Sequence, residues 1–138
     1  MSAEANKALV RRLLERLRVG WTLETVDEFF APDYRRHLTA TTPSLTREEQ
    51  RLRASRLREA FPDAAVTLED IVAEGDWVAY RLTIRGTHTG EFLGVPATRR
   101  QVAVGFFAIV RIVDGKIVEE WGGLDQADLL RQLRALKQ

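Results

Sequence analysis

Apolar residues recur at intervals of three and four through the first third of the chain. Over residues 4–18, Ala8, Leu9, Leu13 and Leu17 form one stripe, widened by Leu14, while Arg11, Arg12, Glu15 and Arg18 take the other side. This is the period of an amphipathic helix that packs on one face. Thr22 stands where an N-cap belongs, ahead of a second helix over residues 23–30 with Val26, Phe29 and Phe30 as its buried face. A threonine hydroxyl there accepts a backbone N–H that the helix leaves unpaired. Ala31-Pro32-Asp33 ends that helix, and a short strand is expected over residues 34–39. Thr46 and Glu49 have the spacing of a capping box and start a third helix over residues 47–60, stopped by Phe61-Pro62-Asp63.

From Ala65 the pattern changes. Residues 66–73, 77–85, 101–113 and 116–121 are rich in β-branched and aromatic side chains and predict four strands. Glu74-Gly75-Asp76 and Asp114-Gly115 have hairpin chemistry, so these strands are expected to be antiparallel neighbours. A last helix over residues 126–136 presents Leu129, Leu130, Leu133 and Leu136 on one side. Three helices, a four-stranded antiparallel meander and a terminal helix predict an α+β fold, whose curled sheet would leave a cone-shaped cavity against the helices. The connection over residues 85–101 is broken by Gly86, Gly90, Gly94 and Pro96 yet holds Phe92, Leu93 and Val95. It is expected to fold back over apolar surface.

Composition narrows the classes of function. A length of 138 residues predicts a single domain over residues 1–138 with a core that needs no staples. The absence of cysteine excludes disulfides, thiol catalysis and cysteine-rich zinc sites. A formal charge of +1 exerts no general pull toward nucleic acid or anionic lipid. Arg47, Arg51, Arg53, Arg56 and Arg58 crowd the third helix, but Glu48, Glu49 and Glu59 interrupt them and no aromatic is interleaved. They read as a solvated face, and no nucleic-acid partner is expected. No apolar run approaches the roughly 20 residues that span a bilayer, and no signal-peptide core opens the chain, so a cytoplasmic protein without a membrane partner is expected. His37 and His88 are the only imidazoles, leaving carboxylates alone to complete a metal shell, so no metal site is expected. The four-residue glycine spacing is not that of a phosphate or dinucleotide loop.

Several strings carry a resemblance: A-N-K-A-L-V-R-R (5–12), V-D-E-F-F-A-P-D-Y (26–34), F-P-D-A-A-V-T-L-E-D-I-V-A-E-G-D-W-V (61–78), R-G-T-H-T-G-E-F-L-G-V-P-A-T (85–98), R-I-V-D-G-K-I-V-E-E-W (111–121) and L-L-R-Q-L (129–133). With these the chain resembles the SnoaL-like polyketide cyclase family of the NTF2-like superfamily over nearly its whole length. G-T-H-x-G-x-F-x-G-x-x-P is the most specific string. The resemblance implies an NTF2-like cone, a curved antiparallel sheet packed against N-terminal helices, with an apolar pocket, usually in a homodimer. It further implies cofactor-free ring closure of a polyketide: an acid/base residue takes an acidic α-proton, and the enolate attacks a carbonyl within the same molecule. The family's usual acid is an aspartate directly after the tryptophan of the last strand, often in H-W-D. Here that string is Glu120-Trp121-Gly122, and a second position, commonly polar in relatives, is Ala108.

The candidate catalytic residues are therefore His37, Glu120 and Asp125. His37 lies where relatives often show a base, and is read either as a proton acceptor near neutral pH or as a rim histidine. Strand alternation puts Glu120 and Gly122 on one face, so Glu120 either replaces the missing acid or points outward as an edge charge. Asp125 matches a second aspartate of relatives, and D-Q-A-D before an apolar helix is also an N-cap signature. The expected substrate-binding residues are Tyr34, Phe61, Tyr80, His88, Phe92, Phe106, Ala108 and Trp121, with His88 fixing the 85–101 loop through its hydrogen bonds. The functional expectation is cofactor-free cyclisation or isomerisation of a small, hydrophobic, carbonyl-bearing molecule. The alternatives are a non-catalytic ligand-binding or dimerisation module, or a hydroxylase-type relative served by a separate reductase.

Overall fold

The structure, a computed structural model, describes residues 2–134. The expected apolar position Leu136 lies outside the described residues. The chain runs α1 (Ala3–Arg16), a 3-10 turn (Leu17–Val19), α2 (Leu23–Phe29), β1 (Phe30–His37), β2 (Leu45–Thr46), α3 (Arg47–Ala60), β3 (Ala65–Glu74), β4 (Trp77–Thr87), β5 (Gln101–Val113), β6 (Lys116–Leu124) and α4 (Gln126–Arg134). Both predicted caps form. The Thr22 hydroxyl accepts the Thr25 N–H at 3.1 Å, and Thr46 and Glu49 exchange side-chain and backbone bonds as a full capping box.

The fold is α+β, and the expected four-stranded antiparallel meander forms as β3 to β6, but two further strands extend the sheet beyond β6. Six strands lie in the order β2-β1-β6-β5-β4-β3. β3 to β6 are antiparallel neighbours, whereas β1 runs parallel to β6. The strand after α2 begins at Phe30, not Tyr34, and carries Pro32 inside it. The ladder tolerates that proline because its register with β6 breaks between Phe30 and Arg35.

One face of the sheet takes the helices. Leu9, Val10 and Leu13 of α1 and Phe29 of α2 bury against Tyr34, Val78, Val110 and Ile117. Leu129 and Leu133 of α4 pack with Ala60, Phe61, Val102 and Val104 in a second cluster. A cavity of about 990 Å³ opens between the two, lined from both by Leu13, Phe30, Tyr80, Phe61, Val104 and Leu129 among others.

The 85–101 connection is anchored on the end of α3. The Thr89 and Gly90 amides donate to the Ala60 carbonyl at 3.0 and 3.2 Å, and Asp63 accepts the Thr87 amide and hydroxyl at 2.7 Å each. Gly90 is required there, since a Cβ would sit 2.7 Å from the Glu59 carbonyl oxygen. Phe92 turns back onto Phe61, edge to face at 5.7 Å between ring centroids. Glu91, Phe92 and Leu93 reach the cavity wall.

Candidate active site

The polar floor of the cavity comes from adjoining strands. Alternation along β6 sends Glu120 inward, and the parallel register of β1 brings Arg36 beside it. Both are almost fully buried, at 3% and 2% exposure. Arg36 Nη1 lies 3.3 Å from Glu120 Oε2, and its Nη2 donates to the Gly122 carbonyl at 3.2 Å. The Tyr34 hydroxyl donates to Glu120 Oε1 at 2.6 Å, and the Tyr80 hydroxyl reaches Oε2 at 3.4 Å. A buried carboxylate is costly unless paired and hydrogen-bonded, and Glu120 has all three partners. Burial, then the charge of Glu120, pushes both phenols well above their ordinary value of 10.0, so they stay protonated donors. Burial alone would pull the Arg36 guanidinium down, but Glu120, Tyr34 and Tyr80 together outweigh it and hold it above the ordinary value.

Tyr80, Phe106, Phe61, Phe92 and Glu120 of the predicted site line the cavity. Tyr34 lies behind that wall, packed edge-on against Phe30, and holds Glu120 from the core side. Ala108 is buried opposite Gly122 in the β5–β6 ladder.

Four other positions fall elsewhere. His37 follows Arg36 by one residue and so lies on the opposite face of the sheet. There its Nε2 bonds Glu119 at 2.8 Å and its ring stacks on Trp121 at 4.4 Å. Trp121 shares that face and packs toward Trp77 at 5.7 Å. Asp125 is exposed and caps α4, its Oδ1 accepting the Asp128 amide at 3.1 Å. His88 is fully buried in the loop, stacked on Phe61, with its Nδ1 accepting the Thr98 amide at 3.1 Å. Desolvation holds this imidazole below its ordinary value.

Arg36, Gln50 and Arg53 line the cavity although the sequence did not mark them as site candidates. Arg36 was legible by alternation, because Tyr34 inward requires Arg36 inward. Gln50 and Arg53 share a helical stripe with Leu57 and Ala60 at spacings of three, four and three, so they face the sheet. The expectation of a solvated arginine face on α3 fails at Arg53, which is half-buried in the cavity wall.

The description "SnoaL-like polyketide cyclase" belongs to a family model that matches residues 8–133. The chain is 34% identical over 135 residues to aklanonic acid methyl ester cyclase DnrD of Streptomyces peucetius, covering 91% of this chain and 88% of that protein. Its fold is similar to that of IdmH from Streptomyces antibioticus, described as a candidate polyketide cyclase: TM-score 0.81, 37% identity, and coverage of 93% and 97%. It is similar too to AclR from Streptomyces galilaeus, described as a candidate hydroxylase: TM-score 0.87, 30% identity, and coverage of 99% and 85%.

Proposed function

Since the chain belongs to the SnoaL-like polyketide cyclase family, we propose that it closes a ring in a polyketide-type substrate by a cofactor-free intramolecular aldol step. The observation that carries this reading is Glu120, a buried carboxylate at the cavity wall held by a guanidinium and two phenols. Glu120 takes the α-proton, the resulting carbanion attacks a carbonyl carbon of the same molecule, and a carbon–carbon bond forms. The new alkoxide recovers the proton, so mass is unchanged. Tyr80 and Arg36 stand at the same wall as donors for the oxygen that gains charge, a preorganised arrangement that stabilises the transition state more than the ground state. A cavity of about 990 Å³ holds a folded polycyclic precursor, and confinement supplies the orientation that ring closure needs.

Incubation with aklanonic acid and its methyl ester, followed by chromatography for an isomer of equal mass, tests the reading. Glu120→Gln is expected to lower turnover by about 10²–10⁴, the range of a lost acid/base group, and His37→Ala by much less. The reverse order would move the base to the other face of the sheet. Unchanged turnover in Glu120→Gln removes the acid/base version altogether.

A second reading is favoured by the likeness to AclR together with Gly122, which replaces the family's usual acid. In a hydroxylase the same cavity would present the substrate to an external redox partner. Turnover that requires a reduced cofactor and a separate reductase selects that reading.

The proposal includes a homodimer. The outer face of the sheet leaves Val72, Trp77, Phe107 and Ile109 exposed together, and a second copy is the partner we assign to it.

A further inference from the structure

The ionised groups of the cavity do not balance in its interior. Glu120 is neutralised by Arg36, which leaves the guanidinium of Arg53 in the wall without an ion-pair partner among the described residues. The other charges that line the cavity are at its rim. Glu49, Arg56, Glu59 and Glu91 are exposed, where water and salt screen them, and Arg58 is turned to the Arg18 carbonyl at 3.1 Å. Two polar atoms in the same wall are buried without a partner: Nε of Arg36 and Oε1 of Gln50, which is 4% exposed. Buried polar groups are nearly always paired, so unpaired ones in a cavity wall mark where a ligand's polar atoms belong. Burial, followed by the like charge of Arg36, holds Arg53 below its ordinary value, as expected of a cation that lacks a counter-ion.

We propose that the cavity binds its polyketide substrate as a free carboxylate, with Arg53 as counter-ion and the Gln50 oxygen accepting a substrate hydroxyl. Guanidinium and carboxylate match in charge and in planar donor–acceptor geometry. A methyl ester, the form in the name of the relative DnrD, brings no charge to Arg53 and leaves it unpaired. The proposal rests on the cyclase reading for the kind of molecule that enters, and adds the charged group by which it is selected.

Binding separates the two. Isothermal titration of the intact protein with anthraquinone-2-carboxylate and with its methyl ester is expected to favour the acid by about tenfold or more, the worth of one charge-assisted bond. Arg53→Gln is expected to bring the ratio close to one, and Arg53→Lys to keep most of the preference. Raising the salt concentration should weaken the acid and spare the ester. Equal affinities in the wild type, no measurable binding of the acid, or a preference that survives Arg53→Gln overturns the proposal. Arg53→Gln weakening acid and ester alike also overturns it, since the anion recognised would then not be the carboxylate. Turnover by Glu120→Gln decides the cyclase reading separately, whichever way the titrations fall.

Discussion

At the scale of single residues, a charge can be kept inside this protein only where its neighbours are fixed in advance. Removing either partner of Arg36 and Glu120 would strand the other, a loss of about 3–5 kcal/mol for buried pairs. His88 solves the opposite problem by staying neutral. Burial in the loop disfavours the charged imidazolium, and a proton on Nδ1 would displace the bond that it now accepts from the Thr98 amide. The folded chain therefore takes up this proton less readily than the unfolded chain, whose imidazole titrates near its ordinary 6.5. With the folded value lowered, the contribution to stability is complete above about pH 6.5 and declines as pH falls through that value, because the unfolded state then binds more protons. Carboxylates such as Asp63 and Asp128 have ordinary values of 3.8 and act in a more acid window. Thermal melts from about pH 7.5 to 5.5 should show a falling midpoint in the wild type. The slope should flatten in His88→Asn, whose amide oxygen can still accept the Thr98 N–H. Parallel slopes in the two proteins would contradict this account of the loop.

At the scale of elements, β6 explains why the family's usual acid cannot simply be restored. Gly122 has φ +115°, and a Cβ built on it would lie 2.2 Å from the Phe107 carbonyl oxygen of the neighbouring strand. The strand here depends on having no side chain at that position. Gly122→Asp is expected to cost at least about 1–3 kcal/mol in backbone strain, seen as a midpoint lowered by about 5 °C or more. An unchanged midpoint with higher turnover would show that the backbone adapts and the aspartate serves. The same elements show what a sequence discloses. The caps at Thr22 and Thr46, the Asp114-Gly115 hairpin and the strand Gln101–Val113 were legible because their causes are local. The parallel β1–β6 pair was not, because its partners stand 87 residues apart at Phe30 and Ile117 and no turn joins them. The site divides in the same way. Alternation within one strand grouped Glu120 with Gly122 but left open which face was the inner one, and the face His37 occupies depended on that unseen pairing. Arg53 was misread because a charged helix position looks solvated until the cavity opposite it is known.

At the scale of the whole molecule, the outer face of the sheet is open and apolar. An antiparallel sheet with one side in water normally turns polar residues outward. Here Phe107 and Val72 are 61% and 62% exposed, and Ile109, Trp77 and Trp121 share their side of the sheet. Around them stand ion pairs, Asp70 with Arg81 and Glu119 with Arg111, and Glu119 also bonds His37. An apolar centre with a polar rim is the anatomy of a specific interface. A self-complementary patch paired about a twofold axis buries the apolar centre of both copies in one contact. Stable contacts take about 800 Å² from each partner. Phe107→Glu would set two like charges near the centre of that contact, so light scattering behind a sizing column should find a dimer for the wild type and a monomer for the variant. A wild type that is monomeric at micromolar concentration would remove the interface. Phe107 points away from the cavity, which the other face of the sheet and the helices enclose. The Phe107→Glu monomer should therefore keep the carboxylate preference set by Arg53. Loss of that preference on dissociation would mean that the second copy shapes the site, and the two faces of the sheet would then have to be read as one device.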